Sequence, residues 1–393
     1  MQQALSSIFL AFMSWYRLCT TEADTETRPV STSAGTSDSL VWDQNGYIFY
    51  CPCHGRFGNQ ADQFLGTLAF AKALNRTLIL PPWRSYGAEQ RQMVPFNSIF
   101  QVEPLRRFHR VVLASEFMDN FGESHWSQDK RVAFCHFQHA ENKEKPCTTN
   151  VQFFAEFWDA VGVPEFTASE NIQGLYFDDT EAENWISRFP AETYPVIALR
   201  GPPAPFPVPL RHWHIQKYVA WSEEIQQRGD AFITEKFGTE PFLGVHLRNG
   251  EDWVRACDLL NEDRHGLKNL MASTQCLGEN PSNAVTRAIC LPTEEDVIRR
   301  VASELEVLGF KHLFIATDHD PYLKRFKKAI KNVNIIHGSL DVPQIDMYIL
   351  GRSGVFIGNC VSSFSSFVRR ERDVSHRPTL YFGISKEYVH EEL

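Results

Sequence analysis

The stretch Tyr47 to Trp83 constrains this chain more than any other, because it reads as strand, tight loop, amphipathic helix and second strand in sequence. The run Tyr47-Ile48-Phe49-Tyr50 is aromatic and β-branched and stops at Cys51-Pro52, where proline removes a ladder donor. Beyond the loop, Ala61, Phe64, Leu65, Leu68 and Ala69 recur at the spacing of a helix that lays one face on a sheet. Asn59 is placed to cap that helix. Gly55 and Gly58 flank Arg56-Phe57, so a cation and free backbone N–H groups sit where a helix N-terminus already favours anions. The pattern is not the G-x-G-x-x-G dinucleotide fingerprint, and two glycines in such a loop usually mark only a tight turn.

At 393 residues the chain is long enough for two ordinary domains. Its net charge of −9 lacks the basic footprint of a nucleic-acid binder. Residues 1–20 contain the apolar segment Ala4 to Tyr16, short for a membrane span and followed by polar residues, as in a cleaved signal peptide. Residues 21–40 read as a solvated Ser/Thr-rich tail. Apart from Cys19 in the leader, eight cysteines remain: Cys51, Cys53, Cys135, Cys147, Cys257, Cys276, Cys290 and Cys360. In a secretory chain disulfides are their expected fate, with zinc disfavoured by the single residue between Cys51 and Cys53. Asn75-Arg76-Thr77 is a glycosylation sequon, and the terminal His390-Glu391-Glu392-Leu393 has the form of a lumenal retrieval signal.

Further short strands are expected at 111–113 and 131–134. The segment Gly201 to Leu210 carries five prolines, which excludes helix interior and central strand. A domain boundary is placed after it, at a helix expected over Gln216 to Gln227, with an extended loop inside the first domain as the alternative. The second half then alternates: strand 242–248, helix Glu294 to Leu308 capped by Thr293, strand 312–317, helix 322–331, strand 333–337, helix 344–351, strand 355–357 and a helix from Ser363. This βαβα order argues for an α/β fold of two Rossmann-like halves, 41–215 and 216–362, with 363–389 as a C-terminal helix returning to the first half.

In such sheets ligands bind at the carboxyl ends of strands. Alternation puts His246 and Arg248 on one face of their strand, and an arginine at a strand end can form paired bonds to phosphate. The turn from Gly358 through Ser362 and Ser363 brings hydroxyl and N–H donors together at a helix start, with Phe364 beside them. Asp318-His319-Asp320 has the Asp-x-Asp form of some metal sites, yet it precedes Pro321 and reads better as a helix cap. His212, His214, His136 and His139 lack a convincing ligand set. Asp346 could accept from a guanine amino edge, although a surface carboxylate is the default.

Taken together, CPCHGRFGNQADQFLGTLAFAKALNRTLILPPW, GVHLRNGEDW, QIDMYILGRSGVFIGNCVSSFSSFVRRERD and the HEEL ending closely resemble the GDP-fucose protein O-fucosyltransferases that act on EGF-like repeats. The resemblance covers Val41 to Leu393. It implies a GT-B fold, with acceptor on the first half and nucleotide sugar on the second, and a monomeric soluble protein of the endoplasmic reticulum lumen. It also implies inverting, metal-free transfer of fucose from GDP-fucose to Ser or Thr of folded EGF-like repeats such as those of Notch-type receptors. Donor contacts are implied for Arg56, Phe57, Gly58, Asn59, His246, Leu247, Arg248, Asp346, Ser363 and Phe364. Arg248 is expected to stabilise the leaving GDP, and Asn59 matches a catalytic asparagine. The implied disulfides are Cys51–Cys53, Cys135–Cys147, Cys257–Cys290 and Cys276–Cys360. Expected partners are GDP-fucose, EGF-like domains and a retrieval receptor, with no nucleic acid. The competing reading is a lumenal chaperone that binds EGF-like domains without catalysis.

Overall fold

The computed structural model describes residues 40–85, 92–136, 147, 152–258, 260, 274–278, 285–338 and 342–384. The expected leader, nearly all of the tail, His139 and the terminal tetrapeptide lie outside the described residues. Strands β1 (Tyr47–Tyr50), β2 (Thr77–Leu80), β5 (Val111–Leu113), β6 (Val132–Cys135), β7 (Ala168–Asn171) and β8 (Val196–Leu199) form one sheet, while β3 (Trp83–Arg84) and β4 (Met93–Val94) pair as a small hairpin. The sheet order is β5-β2-β1-β8-β6-β7, and every pairing in it is parallel. A second parallel sheet has the order β11-β10-β9-β12-β13, from β9 (Leu243–Leu247), β10 (His312–Thr317), β11 (Asn334–His337), β12 (Val355–Gly358) and β13 (Thr379–Tyr381). Strands β1 and β9 each lie where the chain order reverses, so their carboxyl ends open at switch points of the kind that hold ligands.

Period-two alternation sets what each strand buries. In β1, Ile48 and Tyr50 face the helix α1 (Phe57–Ala73) with Phe64, Leu65 and Leu68, while Tyr47 and Phe49 face an aromatic cluster of Phe117, Trp126, Phe157 and Trp158. In β9, Leu243, Val245 and Leu247 pack against Val297, Val301 and Leu305 of helix α4 (Glu294–Leu308), which Thr293 caps by accepting from the Asp296 N–H. The opposite face of β9 carries Gly244 and His246. Strands β7 and β8 escape the sequence reading: β7 is the polar edge segment ASEN, and β8 is a four-residue apolar run.

The helix expected over Gln216–Gln227 is displaced. Leu210–Tyr218 is a 3-10 helix, residues near Trp221 pair with Phe100, and the α-helix α2 spans Glu223–Phe237. Ser222 determines that start, because its Oγ accepts from the Ile225 N–H at 3.3 Å while its own N–H donates to Ile99 O at 2.8 Å.

Helix α7 (Ser363–Val374) follows β12 of the second sheet and packs on α1 beneath the first. Phe367 stacks on Phe100 at 5.7 Å and meets Trp221 at 5.1 Å, so one apolar core runs under both sheets. The charged run Arg369 to Arg372 is buried with partners. Arg370 pairs with Asp62 of α1, both side chains fully out of solvent, and donates to Gln216 Oε1 at 3.2 Å and Ser366 Oγ at 2.6 Å. The other Asp62 oxygen accepts from the Val208 N–H at 2.7 Å, which ties the proline-rich connector to the same point. Arg372 donates to the carbonyls of Leu350, Ser353 and Pro378.

Four disulfides join the eight cysteines in the implied pairs: Cys51–Cys53, Cys135–Cys147, Cys257–Cys290 and Cys276–Cys360. Asn75 is exposed at positive φ, with its Nδ2 donating to Asn45 at 3.3 Å. Among the described residues no helix is long and apolar enough to cross a membrane. Removing one member of the Asp62–Arg370 pair strands the other charge in the core; Asp62→Ala is therefore expected to cost ~3 kcal/mol or more in urea unfolding, and a loss below ~1 kcal/mol would show that the pair does not hold the two helices together.

Candidate active site

The loop after β1 is fixed from both ends. Helix α1 begins at Phe57 with Arg56 in the cap position, so Asn59 lies in the first turn and not at the cap where its sequence placed it. Gly55 has φ +77°, and a Cβ there would overlap the Asn59 side chain. Gln60 anchors the loop from inside: its Nε2 donates to Gly55 O at 3.0 Å and Arg84 O at 2.8 Å, and its Oε1 accepts from Arg84 N–H at 3.0 Å. Phe57 turns its ring into the core against Trp83 and Phe100, leaving only its backbone toward the helix end.

The N-terminus of α7 comes directly against this loop. A Cβ on Gly58 would stand 2.8 Å from both Phe364 N and Ser363 Oγ, a separation that only glycine allows. Ser363 Oγ in turn donates to Asn59 Oδ1. Because Ser366 N–H makes an i−4 bond to Ser362 O, the preceding N–H groups of α7 have no intrahelical acceptor. Two helix N-termini therefore meet, each contributing partial positive charge and unsatisfied donors. The α7 turn is pinned from behind by the Cys276–Cys360 bridge and by Gln275, whose Nε2 donates to Cys360 O at 2.7 Å and Ser362 O at 3.2 Å.

His246 stacks on Phe364 with ring centroids 4.3 Å apart. Burial, with Arg248 nearby, lowers its pKa to about 3, so the ring is neutral at pH 7. Its Nδ1 lies 2.8 Å from Ser365 Oγ, which already accepts from the Asn359 N–H at 3.0 Å. The Ser365 hydroxyl is fully buried, and among the described residues Nδ1 is the acceptor in reach of its proton; with that bond made, Nε2–H is the donor.

Arg248 continues the same face of β9 beyond the strand end. Its Nη2 donates to Asp252 at 2.8 Å, its Nη1 pairs with Asp318, and the guanidinium lies 4.9 Å from the centre of the Trp253 ring. Asp252 reaches Arg56 Nη2 as well, at 3.5 Å, so one carboxylate stands between an arginine from each half of the molecule. Hydrogen bonding from Arg248 holds the Asp252 pKa below the usual carboxylate range, which makes it a weak base. The arginines differ in freedom: the Arg248 side chain is 15% exposed and that of Arg56 64%.

Asp318 is not the cap of the helix that follows it. Its Oδ1 accepts from the N–H groups of Asn249 and Gly250, at 3.0 and 3.2 Å, and its other oxygen holds Arg248. Asp320 takes the local role by accepting from Tyr322 N–H at 2.8 Å. Among the described residues, no three or more His, Cys, Asp and Glu side chains gather as a metal-holding group.

Arg56, Gly58, Asn59, His246, Arg248, Ser363 and Phe364 thus form one connected wall. Leu247 points into the α4 side of the sheet and can offer the site only its backbone. Asp346 is buried in the first turn of helix α6 (Pro343–Arg352), against Gly338 at the end of β11. The positioning roles of Gln60, Asp252 and Ser365 escaped the sequence reading, which took Asp318 for a helix cap. Only Asp252 carried a local signal, four residues after Arg248 at the start of a helix.

A methyl group at Gly58 must push the α7 N-terminus away. Gly58→Ala is expected to weaken GDP binding at least about tenfold by calorimetry, equivalent to about 1.4 kcal/mol, and to cost ~1–3 kcal/mol in urea unfolding as an overpacked contact. Unchanged affinity would place the anion elsewhere.

Known proteins resemble this chain along most of its length. The family model described as GDP-fucose protein O-fucosyltransferase matches residues 47–375. The chain is 38% identical over 374 residues to GDP-fucose protein O-fucosyltransferase 1 of Caenorhabditis elegans, covering 89% of this chain and 93% of that one. A crystal structure of POFUT1 in complex with GDP-fucose is 37% identical and superposes with a TM-score of 0.81, covering 87% of this chain and 99% of that one. A POFUT1 complex with GDP gives 38% identity and a TM-score of 0.81, over 88% of this chain and 100% of that one. The architecture is accordingly GT-B, and the chain belongs to the GDP-fucose protein O-fucosyltransferase family.

Proposed function

We propose that the chain moves fucose from GDP-fucose, with inversion and without a metal, to a Ser or Thr hydroxyl of folded EGF-like repeats, and that it does so in the lumen of the endoplasmic reticulum. The observation that carries this reading is the junction of the α1 and α7 N-termini beside Arg248 and Arg56, a site built for a diphosphate.

In this mechanism the diphosphate takes the charge that Asp252 supplies to the arginines. As the bond from the anomeric carbon to the β-phosphate oxygen breaks, its electron pair goes to the phosphate, and Arg248 with the helix N–H groups stabilises the charge that develops there. The acceptor hydroxyl attacks from the opposite face, forming the new bond to the anomeric carbon as the bond to phosphate breaks, and its proton passes to water. Asn59 is an amide and cannot remove that proton at neutral pH; with Oδ1 taken by Ser363, its NH₂ group is left to orient the acceptor oxygen. His246, through Nε2–H and its stack on Phe364, is suited to donor binding, and Asp346 to the amino edge of guanine.

Metal independence is supported by the commitment of Asp318 to a guanidinium and two backbone donors. Four disulfides suit an oxidising lumen, and the terminal HEEL suits retention there. The chaperone alternative requires neither Arg248 nor the donor.

Purified protein, labelled GDP-fucose and a folded EGF-like repeat test the proposal, with EDTA in a parallel sample. Label is expected on the repeat in both samples, and Arg248→Ala is expected to lower transfer by at least about 100-fold in a protein that stays folded by circular dichroism. Absence of transfer rejects the enzyme reading, and EDTA-sensitive transfer rejects the metal-free one.

A further inference from the structure

A cavity of 450 Å³ opens at the carboxyl ends of β6 and β8, lined by Phe134, Phe154, Ile172, Phe177 and Leu199 with His54, His136 and Arg200 at its polar side. It adjoins the candidate active site through the loop after β1: His54 lies two residues before Arg56, and a Cβ on Gly201 would stand 2.9 Å from the His54 ring. None of the donor-site residues lines it.

The unusual group is Arg200. Its guanidinium lies 4.3 Å from the centre of the Phe154 ring, and among the described residues no carboxylate pairs with it. Burial depresses its pKa, with no acidic neighbour opposing the shift, and partial desolvation together with that same cation lowers the pKa of His54 beside it. Elsewhere in the molecule half-buried arginines have carboxylates or carbonyls: Arg248 has Asp252 and Asp318, and Arg352 has Glu371 at 2.9 Å. An apolar-walled cavity with an arginine that no carboxylate among the described residues pairs is complementary to an apolar group beside an anion.

We infer that this cavity is a specificity subsite for the acceptor polypeptide, taking a bulky apolar side chain of the acceptor and pairing Arg200 with an adjacent Asp or Glu. The inference rests on the proposed transfer to folded EGF-like repeats, and it assigns part of the acceptor contact to residues that touch neither the donor nor the reacting atoms. The volume suits one large side chain with part of its neighbour, and the position on the first sheet leaves the second half to the nucleotide.

The test compares wild type, Arg200→Gln and Arg200→Glu on a folded EGF-like repeat and on variants of that repeat with each surface acid changed to Lys. Calorimetric binding of the repeat, acceptor KM, donor KM and hydrolysis of GDP-fucose without acceptor are measured. Arg200→Glu is expected to weaken acceptor binding and raise acceptor KM about tenfold, with donor KM and hydrolysis unchanged, and one acid-to-Lys repeat is expected to recover most of the loss. Arg200→Gln, which keeps the apolar contact, should lie between. Unchanged acceptor binding in Arg200→Glu overturns the inference, as does a parallel change in donor KM or hydrolysis, which would place Arg200 in the donor loop. If wild type binds the repeat through Arg200 but transfers nothing, the subsite stands and the transfer reading fails. If wild type transfers and Arg200→Glu is indifferent, the reverse holds; if wild type does not bind the repeat at all, the subsite is rejected.

Discussion

The buried pair of Asp62 and Arg370 is the constraint on which the site depends. It joins the helix that follows β1 to the helix that follows β12, one from each half, at a point with no solvent on either charge. Isolated, either group would be costly in the core. Paired, and bonded also to Val208, Gln216 and Ser366, they fix α1 and α7 side by side, so that the two N-termini meet one to two turns away at Gly58 and Ser363. The aromatic contact of Phe367 with Phe100 and Trp221 supplies apolar burial around the same junction.

The electrostatics follow from that placement. Helix ends give partial positive charge, and arginines from both halves add full charges; in the free protein Asp252 bridges the two arginines. Asp318 keeps Arg248 oriented from the other side. An arginine held in advance loses little on meeting a phosphate, whereas the exposed Arg56 can follow its ligand. Neutral His246 adds a donor to this wall without a competing charge.

Much of the scaffold was legible in the sequence because local chemistry dictates it. Period-two and helical spacing placed β1, α1, β9, α4, β10 and α7, and glycines marked the turns that reach the ligand. What was not legible is long-range. Nothing near Arg370 announces Asp62, since 308 residues separate them, and a run of arginines gives no sign of being buried. The roles of Asp318 and Gln60 likewise depend on elements distant in the chain. Asn59 was read as a cap because its residue type favours that position, yet helix α1 begins two residues earlier. Trp221 and Ser222 were read into a helix because apolar spacing cannot register a bridge to Phe100. Phe57 and Leu247 belong to the site motifs by position, while their side chains belong to the core.

The most direct test of the central claim is a crystal structure of this chain with GDP, grown in EDTA. The account requires the β-phosphate to lie within hydrogen-bond distance of the Arg248 guanidinium and of the N–H groups that open α7, with no metal bridging the phosphates. A diphosphate bound away from the α1–α7 junction, or one that Arg248 does not touch, would contradict it.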